Sequence, residues 1–138
     1  MTGVKKTGVK LHIGVDILGL PYAAIVTTAN ISDIAGGIEM FSQPNFYSFS
    51  TIQAVLCDGT YEGKNFASGI KGLIGANVEI AKRSELHAFA VIPKRWIAER
   101  SFSWLDKCRR LRKNCERKIE NTLNMVKLAF VSLLLRRL

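Results

Sequence analysis

The chain has few cysteines and histidines, and it spaces them badly for cross-linking or metal binding. Cys57, Cys108 and Cys115 form an odd set without a Cys-x-x-Cys pair, and His12 and His87 lie far from them in sequence. A zinc site or a disulfide framework needs grouped ligands, so the simpler reading is reduced thiols in a cytoplasmic protein. Long apolar runs are also missing. The longest, Leu128 to Leu135, follows Lys127 and is closed by Arg136 and Arg137. It falls far short of the ~20 residues that span a bilayer and predicts a buried helix, not an anchor. Met1-Thr2-Gly3-Val4-Lys5-Lys6 opens the chain with no apolar stretch of signal-peptide length, so neither export nor a membrane partner is expected.

Acidic residues are scarce in one region only. Up to Pro93 the chain holds seven basic and seven acidic side chains; from Lys94 onward it holds thirteen and four, so the net charge of +9 sits in the last third. Such a concentration is the footprint of a polyanion partner. The same charge also fits a solvated helix face, or a basic amphipathic helix lying on a membrane surface or in a partner's groove. With 138 residues, 48% of them hydrophobic and 22% charged, the chain reads as one globular domain over 1–138, with 94–138 as its basic helical C-terminal part.

Leu11 to Asp16 alternates, Tyr22 to Thr28 is rich in small and β-branched residues, and Gly19-Leu20-Pro21 between them carries turn chemistry, which predicts an antiparallel hairpin. Ser32 and Asp33 cap a short helix expected over Ile34–Phe41, ended by Gln43-Pro44-Asn45. Thr51–Cys57 reads as a strand buried on both faces, Gly63–Ile74 as a helix and Asn77–Ala81 as another strand. The remaining third reads as two helical segments meeting near Asn114. Alternating strands and helices after a hairpin predict an α/β fold, a mixed sheet with helices on its faces.

Two carboxylates stand out. Asp58 follows a strand directly, at the kind of C-terminal strand edge where ligand sites of α/β sheets lie, although Asp58-Gly59 is equally a common turn dipeptide. On the helix starting near Arg95, the apolar Ile97, Ala98, Phe102, Trp104, Leu105, Cys108 and Leu111 share one arc, and Arg95, Glu99, Asp106, Arg110 and Lys113 share the opposite one. Glu99 is thus a carboxylate on a basic face. With Arg95 it forms either a plain (i, i+4) ion pair or an acid able to reach a metal beside a phosphate held by neighbouring cations. Asn30 and Asp33 read as a strand end and helix cap, and Tyr61 as structural. Ile119, Leu123, Val126, Phe130 and Leu133 read as the core stripe of the closing helix.

The run Arg95-Trp96-Ile97-Ala98-Glu99-Arg100-Ser101-Phe102-Ser103-Trp104-Leu105 resembles the signature around the last acid of transposases of insertion-sequence family five. Val15 to Pro21, Asn30-x-x-Asp33, Asp58-Gly59-x-Tyr61-x-Gly63, Lys82-Arg83-Ser84 and Arg109-Arg110-Leu111 resemble the same family in the same order. The resemblance implies a ribonuclease-H-like mixed sheet with flanking helices and DNA transposition by the DDE mechanism. Its implied cofactor is Mg²⁺ or Mn²⁺ in a two-metal site, and its implied partner is DNA, at element ends and target. Asp58 and Glu99 match the second and third acids, as catalytic residues and metal ligands, while Arg95, Arg100, Lys107 and Arg110 are the implied DNA contacts. Asp16 matches an aspartate that the family does not count as catalytic. Ile92 stands where related enzymes have a tyrosine, and Asp106 where they have a lysine, with Lys107 one residue late.

The family's first catalytic aspartate belongs to a strand ahead of Leu11, so the expectation is a sheet lacking its first, central strand. The chain alone is then expected to be inactive, as a decayed fragment or a second-frame product. Its missing strand would come from an upstream transposase segment by frameshift fusion, or from another transposase chain. Two rival functions are a non-enzymatic DNA-binding remnant and a basic amphipathic surface-binding protein.

Overall fold

Alternation in the first thirty residues produces the expected hairpin. In the computed structural model, which describes residues 8–43, 51–81, 95–108, 111 and 116–136, β1 (Val9–Val15) pairs antiparallel with β2 (Pro21–Thr28). Because strand side chains alternate between faces, the hairpin presents two different surfaces. Lys10, His12 and Gly14 face α1 (Asp33–Ser42). The Lys10 ammonium donates to the Asp33 carboxylate at 3.0 Å and to the Ile31 carbonyl at 2.8 Å. Leu11, Ile13 and Ala24 on the opposite face pack against Leu105, Val126 and Phe130, which belong to α3 (Arg95–Asp106) and α4 (Ile119–Leu135). The hairpin is therefore the middle layer between helices.

The second half of the sheet content is a parallel pair. β3 (Ala54–Cys57) and β4 (Asn77–Ile80) align Ala54 with Asn77 through Cys57 with Ile80, and α2 (Lys64–Ile74) makes the crossover. Phe66 and Ile70 of α2 are almost fully buried against Ile34, Ile38 and Phe41 of α1 and Val55 and Val78 of the strands. At ~1.5–3 kcal/mol of transfer free energy for each such side chain, this cluster fastens α2 and the parallel pair to α1. Helix α1 thus packs against both the hairpin and α2. Ser32 caps it as expected, its hydroxyl accepting from the Ala35 N–H at 3.1 Å.

Among the described residues four strands form two two-stranded sheets within the expected α/β class, and no described strand joins β1 or β2 to β3 or β4. Two expectations are corrected. The β3 strand starts three residues later than Thr51 and is buried on one face only: Val55 and Cys57 turn toward α1 and α2, while Ala54 and Leu56 are exposed. The apolar run Leu128–Leu135 is covered on one side only. Val126 and Phe130 of α4 are buried with Thr122, whereas Leu128, Val131 and Leu135 are exposed. The helix junction expected near Asn114 lies outside the described residues. Among those residues no helix is long and apolar enough to cross a membrane.

His12 is a buried polar residue of this core. Its Nε2 is 3.0 Å from the Thr27 hydroxyl, and burial, partly countered by Asp33 and Glu39 and helped by Lys10, holds its pKa below the ordinary value. The unfolded chain, with a histidine pKa near ~6.5, therefore binds a proton that the folded chain refuses. This contribution to stability is complete above that pH and is lost as pH falls through it toward the folded pKa. Urea midpoints taken from pH 8 to pH 5.5 should fall, and His12→Asn should flatten the dependence; an equal slope in the variant would assign the titration elsewhere.

Candidate catalytic acids and their surroundings

Asp58 stands at the C-terminal end of β3, where the parallel ladder closes with the Ala81 N–H on the Cys57 carbonyl at 2.7 Å. The chain then turns sharply into a single 3₁₀ turn, Gly59–Tyr61. Asp58 caps it, its Oδ1 accepting the Thr60 N–H at 2.9 Å and its carbonyl accepting the Tyr61 N–H at 3.2 Å. This is the turn-opening geometry that an Asp-Gly pair favours. It uses one carboxylate oxygen and leaves Oδ2 without a hydrogen bond to any described residue, on an exposed side chain. The turn role and a ligand role are therefore compatible.

The turn is clamped from behind by Tyr61. Its ring packs on Phe66 with centroids 5.0 Å apart, and lies so close to α1 that a β-carbon on Gly37 would be 3.2 Å from it. Burial first, then the negative charge of Asp33 and, more weakly, that of Asp58, pushes the Tyr61 hydroxyl up to about 12. The Cys57 thiol is likewise pushed up to about 12 by burial and by Asp58. Both stay protonated at neutral pH, which removes Cys57 as a thiolate nucleophile.

Glu99 lies on α3 with an exposed side chain. That helix buries Ile97 and Leu105 of the expected apolar arc together with Ser101, at steps of four, while Phe102 at the edge of the arc is 40% exposed. Ser101 is fully buried, and its hydroxyl lies 2.9 Å from the Gly19 carbonyl and 3.2 Å from that of Ile97. Arg100 donates from Nη2 to the Leu18 carbonyl at 2.8 Å and stacks its guanidinium 5.0 Å from the centre of the Trp104 ring. Helix α3 is thus docked onto the β1–β2 turn. In that turn the Asp16 carboxylate is already engaged: its Oδ1 accepts the N–H groups of both Leu18 and Leu20 at 2.9 Å.

Among the expected cations, Lys107 is exposed just past the end of α3 and Arg100 is half-buried in the contact described. Arg95 starts α3, but its side chain, like all of Arg110, lies outside the described residues. Asp58 and Glu99 sit on different packing units, one beside α1 and α2, the other on the helix that covers the hairpin. Among the described residues no group of three His, Cys, Asp or Glu side chains gathers in metal-ligating reach. Sequence reasoning missed Ser101 and read Gly19 only as a turn residue; a serine four residues from both Ile97 and Leu105 was the available signal.

Residues 2–134 match the protein family described as a transposase DDE domain. A Burkholderia cepacia protein titled "Putative transposase for insertion sequence element IS402" is 30% identical over 121 residues, covering 83% of this chain and 57% of its own length. The chain therefore spans little more than half of that relative. No solved structure matches it.

Proposed function

This chain belongs to the transposase DDE domain family, and on that premise we propose that it is the C-terminal part of an insertion-sequence transposase catalytic domain, of insertion-sequence family five. In this reading its basic last third binds DNA, and Asp58 and Glu99 are two of the three acids for metal-dependent phosphodiester cleavage and strand transfer. The observation that carries the reading is the position of Asp58, exposed at the C-terminal end of a parallel strand pair with Oδ2 uncommitted, in a chain matched by the family over 2–134.

The arrangement of strands supports a ribonuclease-H-like sheet. Such sheets run in the order three, two, one, four, five; with the first strand removed, an antiparallel pair and a parallel pair remain, as β1–β2 and β3–β4 do here. Helix α1 lies against the hairpin and the α2 unit alike. A strand entering between β1 and β3 would pair two open edges whose backbone groups otherwise depend on water. We assign that strand to an upstream transposase segment joined by frameshift fusion, or to another transposase chain.

Carboxylate oxygens are the donors that Mg²⁺ and Mn²⁺ prefer, so the acids present suit the metal in kind. In number they fall short, since the described residues assemble no three-ligand group. This reading therefore places the metal site in the completed domain, where Asp58 and Glu99 would be two of its ligands and bound cations would supply activation of the attacking oxygen and stabilisation of the leaving one. The shortfall equally favours the rival reading, a DNA-binding remnant without catalysis, for the 138 residues on their own.

Arg95, Arg100, Lys107 and Arg110 would hold phosphates rather than read bases. For Arg100 this is a second duty beside its contact with the Leu18 carbonyl, so Arg100→Ala is expected to weaken DNA binding and loosen α3 together. If ~4 to 6 phosphates are neutralised, log affinity should fall with log salt at a slope of roughly −4 to −5, almost independently of sequence. Fluorescence anisotropy with unrelated duplexes measures this, and affinity unchanged over a fourfold salt range would remove the DNA reading.

A further inference from the structure

The turn between β1 and β2 carries more polar engagement than closing a hairpin requires. Its backbone is bound internally by the Asp16 N–H to the Leu20 carbonyl at 2.9 Å and by the Gly19 N–H to the Asp16 carbonyl at 3.0 Å. The Asp16 carboxylate adds the N–H groups of Leu18 and Leu20, both to Oδ1. With the N–H groups of Asp16, Leu18, Gly19 and Leu20 satisfied internally, the turn gives two carbonyls, those of Leu18 and Gly19, to α3. Arg100 donates to the first at 2.8 Å and the fully buried Ser101 to the second at 2.9 Å.

Gly19 makes the approach possible. It is buried at φ +80°, where side chains are rarely tolerated, and a β-carbon there would meet Arg100 Nη2 at 3.1 Å and Ile97 Cγ2 at 3.4 Å. The two residues that grip the turn, Arg100 and Ser101, directly follow Glu99. On a helix that juxtaposition fixes the Glu99 backbone both along the axis and in rotation.

We infer that the Asp16–Leu20 turn is the seat that positions Glu99, with Asp16 and Ser101 as positioning residues acting through α3. The inference rests on the reading of Glu99 as a catalytic acid. It gives Asp16 a duty that needs an acceptor oxygen and no negative charge, which separates it from a metal ligand. An asparagine keeps that acceptor and an alanine does not.

The test starts with amide hydrogen exchange on the full 138-residue chain. Ser101→Ala and Asp16→Ala should each speed exchange over 97–105 about tenfold, the equivalent of one hydrogen bond lost, while β1 and β2 stay protected. Asp16→Asn should leave exchange within about twofold of the parent. Unchanged α3 exchange in both alanine variants would overturn the seat, as would an Asp16→Asn as loose as Asp16→Ala. Should Asp16→Ala unfold the hairpin, Ser101→Ala alone decides, because it acts from the helix side.

The link to Glu99 is read in the domain completed by the upstream segment. There Ser101→Ala should raise the Mn²⁺ concentration for half-maximal cleavage several-fold, with the rate at saturating Mn²⁺ nearly kept, whereas Glu99→Gln loses cleavage at every concentration. An unmoved half-saturation beside a loosened α3 would overturn the positioning of Glu99. Full activity of Glu99→Gln with a loosened α3 would instead sink the catalytic reading of Glu99 and leave only the docking contact.

Discussion

Gly36→Ala is expected to cost the fold about 2–3 kcal/mol, near the upper end for overpacking a core, and to lower the melting temperature by about 10 °C. A β-carbon on Gly36 would overlap Nε2 and Cε1 of His12 and stand 3.0 Å from Cδ2. The ring cannot simply swing aside. It is buried, its Nε2 is held by the Thr27 hydroxyl, and its strand is bonded to β2 throughout. Alanine is the better helix former by about 1 kcal/mol, so a measured loss understates the clash. The decisive control is the double variant with His12→Ala, which opens the space the methyl needs; the pair should couple by more than about 1 kcal/mol. Urea denaturation showing additive costs, or a stable Gly36→Ala protein, would mean that α1 does not lie on the hairpin as described.

The elements whose cause is local were legible in the sequence, and those whose cause is tertiary were not. Alternation gave β1 and β2, Ser32 gave the start of α1 within one residue, and the apolar spacing gave α2 and α4. The strand at Ala54–Cys57 was found, but its burial was misjudged, since Val55-Leu56-Cys57 reads the same whether one face or two are covered. What covers a face depends on residues distant in the chain.

For the same reason α3 was only partly legible. Periodicity placed Ile97 and Leu105 inside correctly and Phe102 wrongly, yet it gave no sign of the docking contact made by Ser101 and Arg100, whose partners are carbonyls 82 residues earlier. A polar side chain satisfied by a remote backbone group leaves no periodic trace. Resemblance separated Asp16 from Asp58 and Glu99, and the geometry gives Asp16 a duty in the turn through the two N–H groups its carboxylate accepts. The family membership was legible because several motifs recur in order, which does not depend on knowing how they pack.

Asp58→Asn and Glu99→Gln should each abolish Mg²⁺-dependent cleavage at element ends in a protein that fuses the upstream transposase strand ahead of Met1. Each substitution replaces a charged oxygen donor by a neutral amide of nearly the same shape, so loss of a metal ligand is separated from loss of packing. Both side chains are exposed, and folding should be little changed. For Asp58 the amide oxygen can still accept the Thr60 N–H that Oδ1 holds at 2.9 Å, which keeps the turn after β3 in place. DNA affinity and its salt slope should stay close to the parent, since the phosphate contacts are assigned to cations elsewhere on the last third. Cleavage should drop at least ~10³-fold, about 4 kcal/mol in the barrier. Asp16→Asn should keep most activity because the asparagine oxygen serves the same two N–H groups. On the proposed reading, which places the third acid and a further strand in an upstream segment, these 138 residues tested alone should cleave nothing with either Mg²⁺ or Mn²⁺. Gel assays on labelled element ends read all of these at once. Cleavage by the unfused chain that disappears with Asp16→Asn would overturn the assignment and make Asp16, Asp58 and Glu99 the working set. Full activity of both Asp58→Asn and Glu99→Gln would remove these two acids from the metal site, and a fused protein that binds DNA but never cleaves would leave the DNA-binding remnant as the reading.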